Sequence, residues 1–203
     1  MKLQLSYPTN TYLISQGFGA NPAFYAQPKF GGLKGHNGLD SIAQHGYPIY
    51  ATHSGWAQYQ VDAGGGCGVI IITDKEYESI DGVSSLWKSI YWHLVDGLKE
   101  PKLASPFQDK TGFTKVANGD LIGYADNTGA STGDHLHFAL KPCAKGEDWG
   151  TFYNVNQNNG FGGAVNPIPY FDGSTPTTIQ NLIKQVSLFK LIIEKLKQLL
   201  EKK

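Results

Sequence analysis

Between residues 47 and 140 the chain repeats one pattern: a run of five to seven β-branched, aromatic and aliphatic residues closed by Gly, Asn, Asp or Pro. The runs at 47–52, 55–61, 68–73, 89–94, 120–124 and 135–140 are too short for stable helices and read as strands. Short turns join many of them, which favours antiparallel pairing, because parallel pairs need crossover helices that this sequence lacks. Twenty-five glycines in 203 residues, well above the usual share of about 7 %, fit a turn-rich chain. The expected fold class is therefore mainly β: an antiparallel β-sheet domain over 1–172, followed by a linker and an amphipathic α-helix over 173–203. Two longer insertions, 74–88 and 99–117, are expected as loops walling a groove. The aromatic and Asn/Gly-rich segment 149–163, with Trp149, Phe152, Tyr153 and Phe161, is expected to rim it.

Charge excludes one class of partner. Seventeen Lys balance seventeen acids and Arg is absent, so there is neither a basic field nor a bidentate phosphate clamp, and nucleic-acid binding is not expected. No apolar run is long enough to cross a bilayer. The opening Met1–Pro8 carries no secretory h-region, which leaves any export route open. Cys67 and Cys143 form no C-x-x-C spacing; they read as two buried thiols or one disulfide, with a reactive thiol the remaining alternative.

Four of the six histidines stand in informative settings. In Gly35-His36-Asn37-Gly38-Leu39-Asp40, the glycines argue for a turn entering a strand, where His36 and Asp40 can face one point. In Asp134-His135-Leu136-His137-Phe138-Ala139-Leu140, strand alternation puts both histidines on one face, about 7 Å apart, with Leu136, Phe138 and Leu140 on the other. Two histidines turned away from a core are hard to explain by packing; the alternative is a satisfied surface pair. Two imidazoles and a carboxylate suit a zinc ion with one open position, and also non-haem iron. His45 and His53 read as ordinary loop or strand histidines.

These segments, with Tyr91-Trp92-His93 and the stretch from Gly123 to Phe138, follow in order the His-x-x-x-Asp, Tyr-x-His and His-x-His motifs of lysostaphin-type zinc metallopeptidases, which the chain resembles over roughly residues 16–171. The resemblance implies Zn²⁺ held by His36, Asp40 and His137, with His93 and His135 as catalytic residues off the metal. It further implies an endopeptidase that cuts peptide cross-links of bacterial peptidoglycan, either glycine bridges or D-Ala-containing links, at the cell envelope or outside the cell. Asp134, Ala139 and Asn21 depart from the family's usual Pro, Glu and Arg; none is a ligand or catalytic position, so the departures bear on substrate fit. The alternatives are a catalytically inactive wall-binding or hydrolase-activating relative, or a phage-particle component carrying this peptidase.

The tail has a different period. Leu182, Val186, Phe189, Ile193, Leu196 and Leu200 recur at four and three residues, the spacing of a helical seam, with Thr177 or Thr178 expected as N-cap. Such a stripe implies self-association, docking to a partner or membrane surface, or packing on the chain's own sheet.

Overall fold

The computed structural model describes residues 1–147 and 150–200, with backbone alone at 179, 181–184, 191, 192, 196, 199 and 200. Trp149 of the expected rim, and the side chains of Leu182, Leu196 and Leu200, lie outside the described residues. The elements in chain order are β1 (Ile14–Gln16), α1 (Pro22–Tyr25), β2 (Leu39–Ile42), β3 (Pro48–Tyr50), β4 (Gly55–Val61), β5 (Cys67–Thr73), β6 (Tyr77–Glu78), β7 (Ser84–Trp92), β8 (Thr114–Val116), β9 (Leu121–Tyr124), β10 (His135–Lys145), β11 (Phe152–Asn154) and α2 (Pro176–Leu200). The fold is mainly antiparallel β, as the sequence implies.

Among the described residues one sheet runs β1-β2-β10-β7-β5-β4-β8, with β11 added to β10 and β6 to β7; β3 and β9 pair separately. Its spine is β10, paired with β7 from His137↔Trp92 to Cys143↔Leu86 and with β2 from His135↔Ile42 to Phe138↔Leu39. Alternation then sorts the side chains. Leu136, Phe138 and Leu140 are fully buried and join Tyr91, Val69, Ile71 and Ala57 with Ile49 and Ile122 of the smaller sheet in one core. The opposite face carries the row His137, Trp92 and Gly68 and, two rows on, Lys141, Lys88 and Ile72.

Several boundaries differ from the sequence reading. The insertion 74–88 is largely a hairpin, since β6 and the first half of β7 occupy it, and β8 forms within 99–117. Polar Ser84, Ser85 and Lys88 hide the alternation there, although Trp87, Ser89 and Tyr91 all point inward. β10 also runs through Pro142. The carbonyls of Leu140 and Pro142 accept from Val165 and Val155 on the side away from β7, so the missing Pro142 N–H faces a sheet edge rather than the ladder. β1, β2 and β11 escaped the strand pattern because each is only three or four residues long.

The cysteines are free and buried. Cys143 pairs with Leu86 near one end of β7, while Cys67 adjoins the residue opposite Trp92 at the other, a separation on the order of 20 Å along the strand. No disulfide can span it, and burial pushes the Cys143 thiol up to about 11, which makes it unreactive. The C-terminal helix starts at Pro176 and its cap is Thr175, whose Oγ1 accepts from Thr178 N. The cap moves upstream because Pro fits the first helical position. Thr177 also donates from N and Oγ1 to Asn10 Oδ1, pinning this first turn to the N-terminal segment.

His53, read from the sequence as ordinary, is buried. Nδ1 donates to the Ser54 carbonyl, leaving Nε2 to accept from Ser89 Oγ at 2.8 Å. Burial lowers its pKa to about 4. The unfolded chain, with an ordinary histidine near 6.5, therefore binds the extra proton between those values, and stability falls as pH drops from 6.5 to 4. We expect wild-type protein to lose about 3 kcal/mol across that window from this group alone. Denaturant unfolding at pH 7 and pH 4.5 should show a smaller difference in His53→Gln than in wild type.

Candidate active site

Three chain segments meet at the N-terminal end of β10. His36 lies in the loop before β2, where Gly19 N donates to the His36 carbonyl and His36 N to that of Ala20. Asp40, on β2, is the direct cross-strand partner of His137 on β10. The register alone brings these two together, and the turn through Asn37 and Gly38 swings His36 back over them. A Cβ on Gly38 would sit 2.7 Å from the His137 ring and 2.6 Å from the Phe138 carbonyl oxygen, so only glycine passes there.

His36 Nε2, Asp40 Oδ1 and His137 Nδ1 lie 2.9–3.2 Å from one another. Tetrahedral ligands about 2.0–2.1 Å from a zinc ion are separated by roughly 3.3 Å, so the three atoms fit a single small cation. The protonation pattern fits as well. His36 Nδ1 donates to the Gly17 carbonyl, which turns an unprotonated Nε2 towards the cluster. Burial alone would raise the Asp40 pKa, but the His137 and His36 rings beside it hold its carboxyl well below the usual range. Burial also lowers the His137 imidazole, favouring the neutral form a metal needs.

His93 and His135 face this cluster without joining it. Their ring centroids are 4.5 Å apart, and His135 Nε2 is 3.6 Å from Asp40 Oδ1. Each is fixed by a backbone carbonyl: His93 Nδ1 donates to Thr128 O at 2.7 Å and His135 Nδ1 to Gly133 O at 2.8 Å. Both therefore present a bare Nε2. Burial pulls His93 down to about 4, against the Thr128 hydrogen bond and reinforced by His135 and His137, so it is neutral at pH 7. His93 also holds a left-handed backbone with φ 64°, costly for a residue with a Cβ and typical of a position the surrounding structure dictates.

All five candidate residues thus come together. Sequence reasoning missed the residues around them. Tyr25 stacks on His36 with centroids 5.2 Å apart and accepts from Gln16 Nε2; the carbonyls of Gly17, Thr128 and Gly133 have no side-chain signature to find. The site opens into a groove of about 1130 Å³ bordered by Phe24, Tyr25, Trp92, Thr132 and Lys141. His45 is not ordinary either: Nδ1 and Nε2 lie 3.0 and 3.1 Å from Asp126 and Glu100, while its N–H donates to Asp134. The Asp126 hydrogen bond, assisted by Glu100, raises its pKa. Since each ring nitrogen already has its own carboxylate, this second His/Glu/Asp group is accounted for without a metal.

No family model matches the chain. Among curated proteins it is 31 % identical to the glycyl-glycine endopeptidase ALE-1 of Staphylococcus capitis over 137 residues, 64 % of this chain and 29 % of that protein. It is also 31 % identical to lysostaphin of Staphylococcus simulans over 137 residues, 64 % and 21 % of the two chains. It therefore spans less than a third of either relative. Of solved structures, Helicobacter pylori Csd3 superposes with a TM-score of 0.50 at 18 % identity, covering 96 % of this chain and 42 % of that one. In sequence the chain is similar to lysostaphin-type peptidases over 64 % of its length, and its mainly antiparallel β fold is shared with Csd3.

Gly38→Ala is expected to push the His137 ring off the ligand position and weaken zinc retention at least about tenfold, on the scale of lost orienting contacts. Asp40→Ala should lose most of the metal. Zinc content after dialysis against a competing chelator measures both, and full retention in Asp40→Ala would remove Asp40 from the ligand set.

Proposed function

We propose that this protein is a zinc-dependent endopeptidase that hydrolyses peptide cross-links of bacterial peptidoglycan, acting at the cell envelope or outside the cell. The observation that carries the reading is the convergence of His36, Asp40 and His137 on one point with two further histidines, tautomerically fixed, facing it. Zinc held there would supply Lewis acidity towards the scissile carbonyl and a water that ionises near neutral pH.

The chain's own residues supply the rest. The bare Nε2 of His93 or His135 accepts a proton from the attacking water. Once protonated, that Nε2–H donates to the oxyanion or returns the proton to the leaving amine. Because Thr128 O and Gly133 O hold the Nδ1 protons, neither ring needs to turn during this exchange. An inactive wall-binding relative would not need these orienting bonds, which favours an active enzyme.

His93→Ala and His135→Ala should keep fold and zinc while lowering hydrolysis about 100-fold or more, the scale of an acid–base group. Release of new peptide ends from purified walls, followed by mass analysis, reads this. Wild-type turnover in either variant would remove that residue from the mechanism, and no new ends from zinc-loaded wild type on any wall would sink the function.

The tail is a separate element of this reading, with residues 1–172 as the peptidase domain and 173–203 as linker and helix. On α2, Val186, Phe189 and Ile193 recur along one stripe and are half or more exposed, which supports self-association through this helix. Deleting residues 179–203 should leave a folded, zinc-loaded peptidase and reduce oligomer size in light scattering. A full chain that stays monomeric at tens of micromolar would end the self-association reading.

A further inference from the structure

The groove floor beyond the histidines carries an uncommon arrangement. On β10, His137, Ala139 and Lys141 share the outer face; on β7, Trp92, Ile90 and Lys88 lie opposite them in the same order. Gly68 leaves room for the Trp92 ring, since a Cβ there would lie 2.1 Å from it, and Trp92 Nε1 donates to Asp62. The floor is thus polar at the histidines, apolar at Trp92, Ile90 and Ala139, and cationic at Lys141, with Lys88 directly opposite it in an adjoining hollow that shares Ile90 and Trp92.

Like charges directly opposite on neighbouring strands repel, and sheets ordinarily relieve this with an acid. None is supplied among the described residues. Among the described residues no carboxylate lies within ion-pair distance of either amine, whereas Lys115 further along the same face pairs with Asp74 at 3.5 Å. Asp62, the groove's own acid near Trp92, is taken up by Gly64 N, Gly66 N and Trp92 Nε1. Lys141 Nζ donates to the Gly162 carbonyl at 2.8 Å, which aims it without neutralising it. Both side chains are half-buried. Burial and the neighbouring Lys88 lower Lys141 to about 8, and burial also lowers Lys88; a bound anion would relieve this cost to the charged forms.

We propose that Lys88 and Lys141 form a subsite for a substrate carboxylate, so that the enzyme prefers anionic stem-peptide cross-links to uncharged glycine bridges. The inference rests on the peptidase reading above. Four residues of β10 separate Lys141 from His137, roughly 13 Å at about 3.3 Å per residue. An extended peptide lying along the groove therefore places the recognised carboxylate three or four residues from the bond that is cut. Trp92, Ile90 and Ala139 form the apolar floor for the residues between.

The test compares wall-derived cross-linked stem peptides with free carboxylates against the same peptides after conversion of those carboxylates to carboxamides. Zinc-loaded wild type should show a kcat/KM ratio of about ten or more in favour of the carboxylates, the gain of one charge-assisted contact. In Lys88→Gln the ratio should fall towards one; this is the more informative variant, because Lys88 Nζ makes no hydrogen bond among the described residues whereas Lys141 also supports the Gly162 loop. A wild-type ratio near one, or a ratio that persists in both Lys88→Gln and Lys141→Gln, overturns the subsite while leaving the peptidase intact. If neither peptide set is cut while walls with glycine bridges are, the subsite is overturned and the peptidase stands; if no wall is cut either, the peptidase reading fails, and calorimetry decides the subsite separately. Tighter binding of the carboxylate peptides by wild type than by Lys88→Gln supports it, and equal affinities overturn it.

Discussion

Everything in this molecule hangs on the two-residue period of β10. Leu136, Phe138 and Leu140 are sealed in the core, and that burial obliges His135, His137, Ala139 and Lys141 to face the other way. A slip of one residue against β2 or β7 would bury both histidines and expose three large apolar side chains. The hydrophobic effect that stabilises the sheet thus also fixes the chemistry, and Asp40 reaches His137 only because the same register sets β2 beside β10.

A second layer of control comes from the main chain. Gly17, Thr128 and Gly133 each accept a proton-bearing Nδ1, from His36, His93 and His135. A neutral imidazole carries a single N–H, so satisfying Nδ1 leaves Nε2 bare in all three. One of these nitrogens turns to the candidate metal position and two to the space beside it. Loops with no hydrophobic pattern thereby decide protonation states that side-chain identity leaves open.

The sequence disclosed the spine and the histidine cluster because both are written in side chains. Alternation exposed β4, β5, β9 and most of β10, and the spacing of His36, Asp40, His135 and His137 pointed to one site. It was less informative where short strands left too few residues to show a period, as in β1, β2 and β11, or where polar outward residues broke it, as in β7. The buried His53 looked ordinary because its partners, Ser54 O and Ser89 Oγ, are a main-chain atom and a small hydroxyl. The groove floor was hidden for another reason: Lys88 and Lys141 are 53 positions apart in the sequence and become neighbours only through the β7–β10 register.

The fastening around His45 works differently from the sheet. His45 ties the loop before β3 to Glu100 on one side and Asp126 on the other, while Asp134, just ahead of β10, accepts from its backbone N–H. The His45 ring itself holds this joint through ring N–H groups, so the joint depends on proton count. As imidazolium, His45 donates to both carboxylates; as neutral imidazole it has one N–H and can serve only one of them. Passing upward through its raised pKa therefore removes one of two side-chain tethers, and the joint becomes a hinge with one pin where in acid it is a bracket with two.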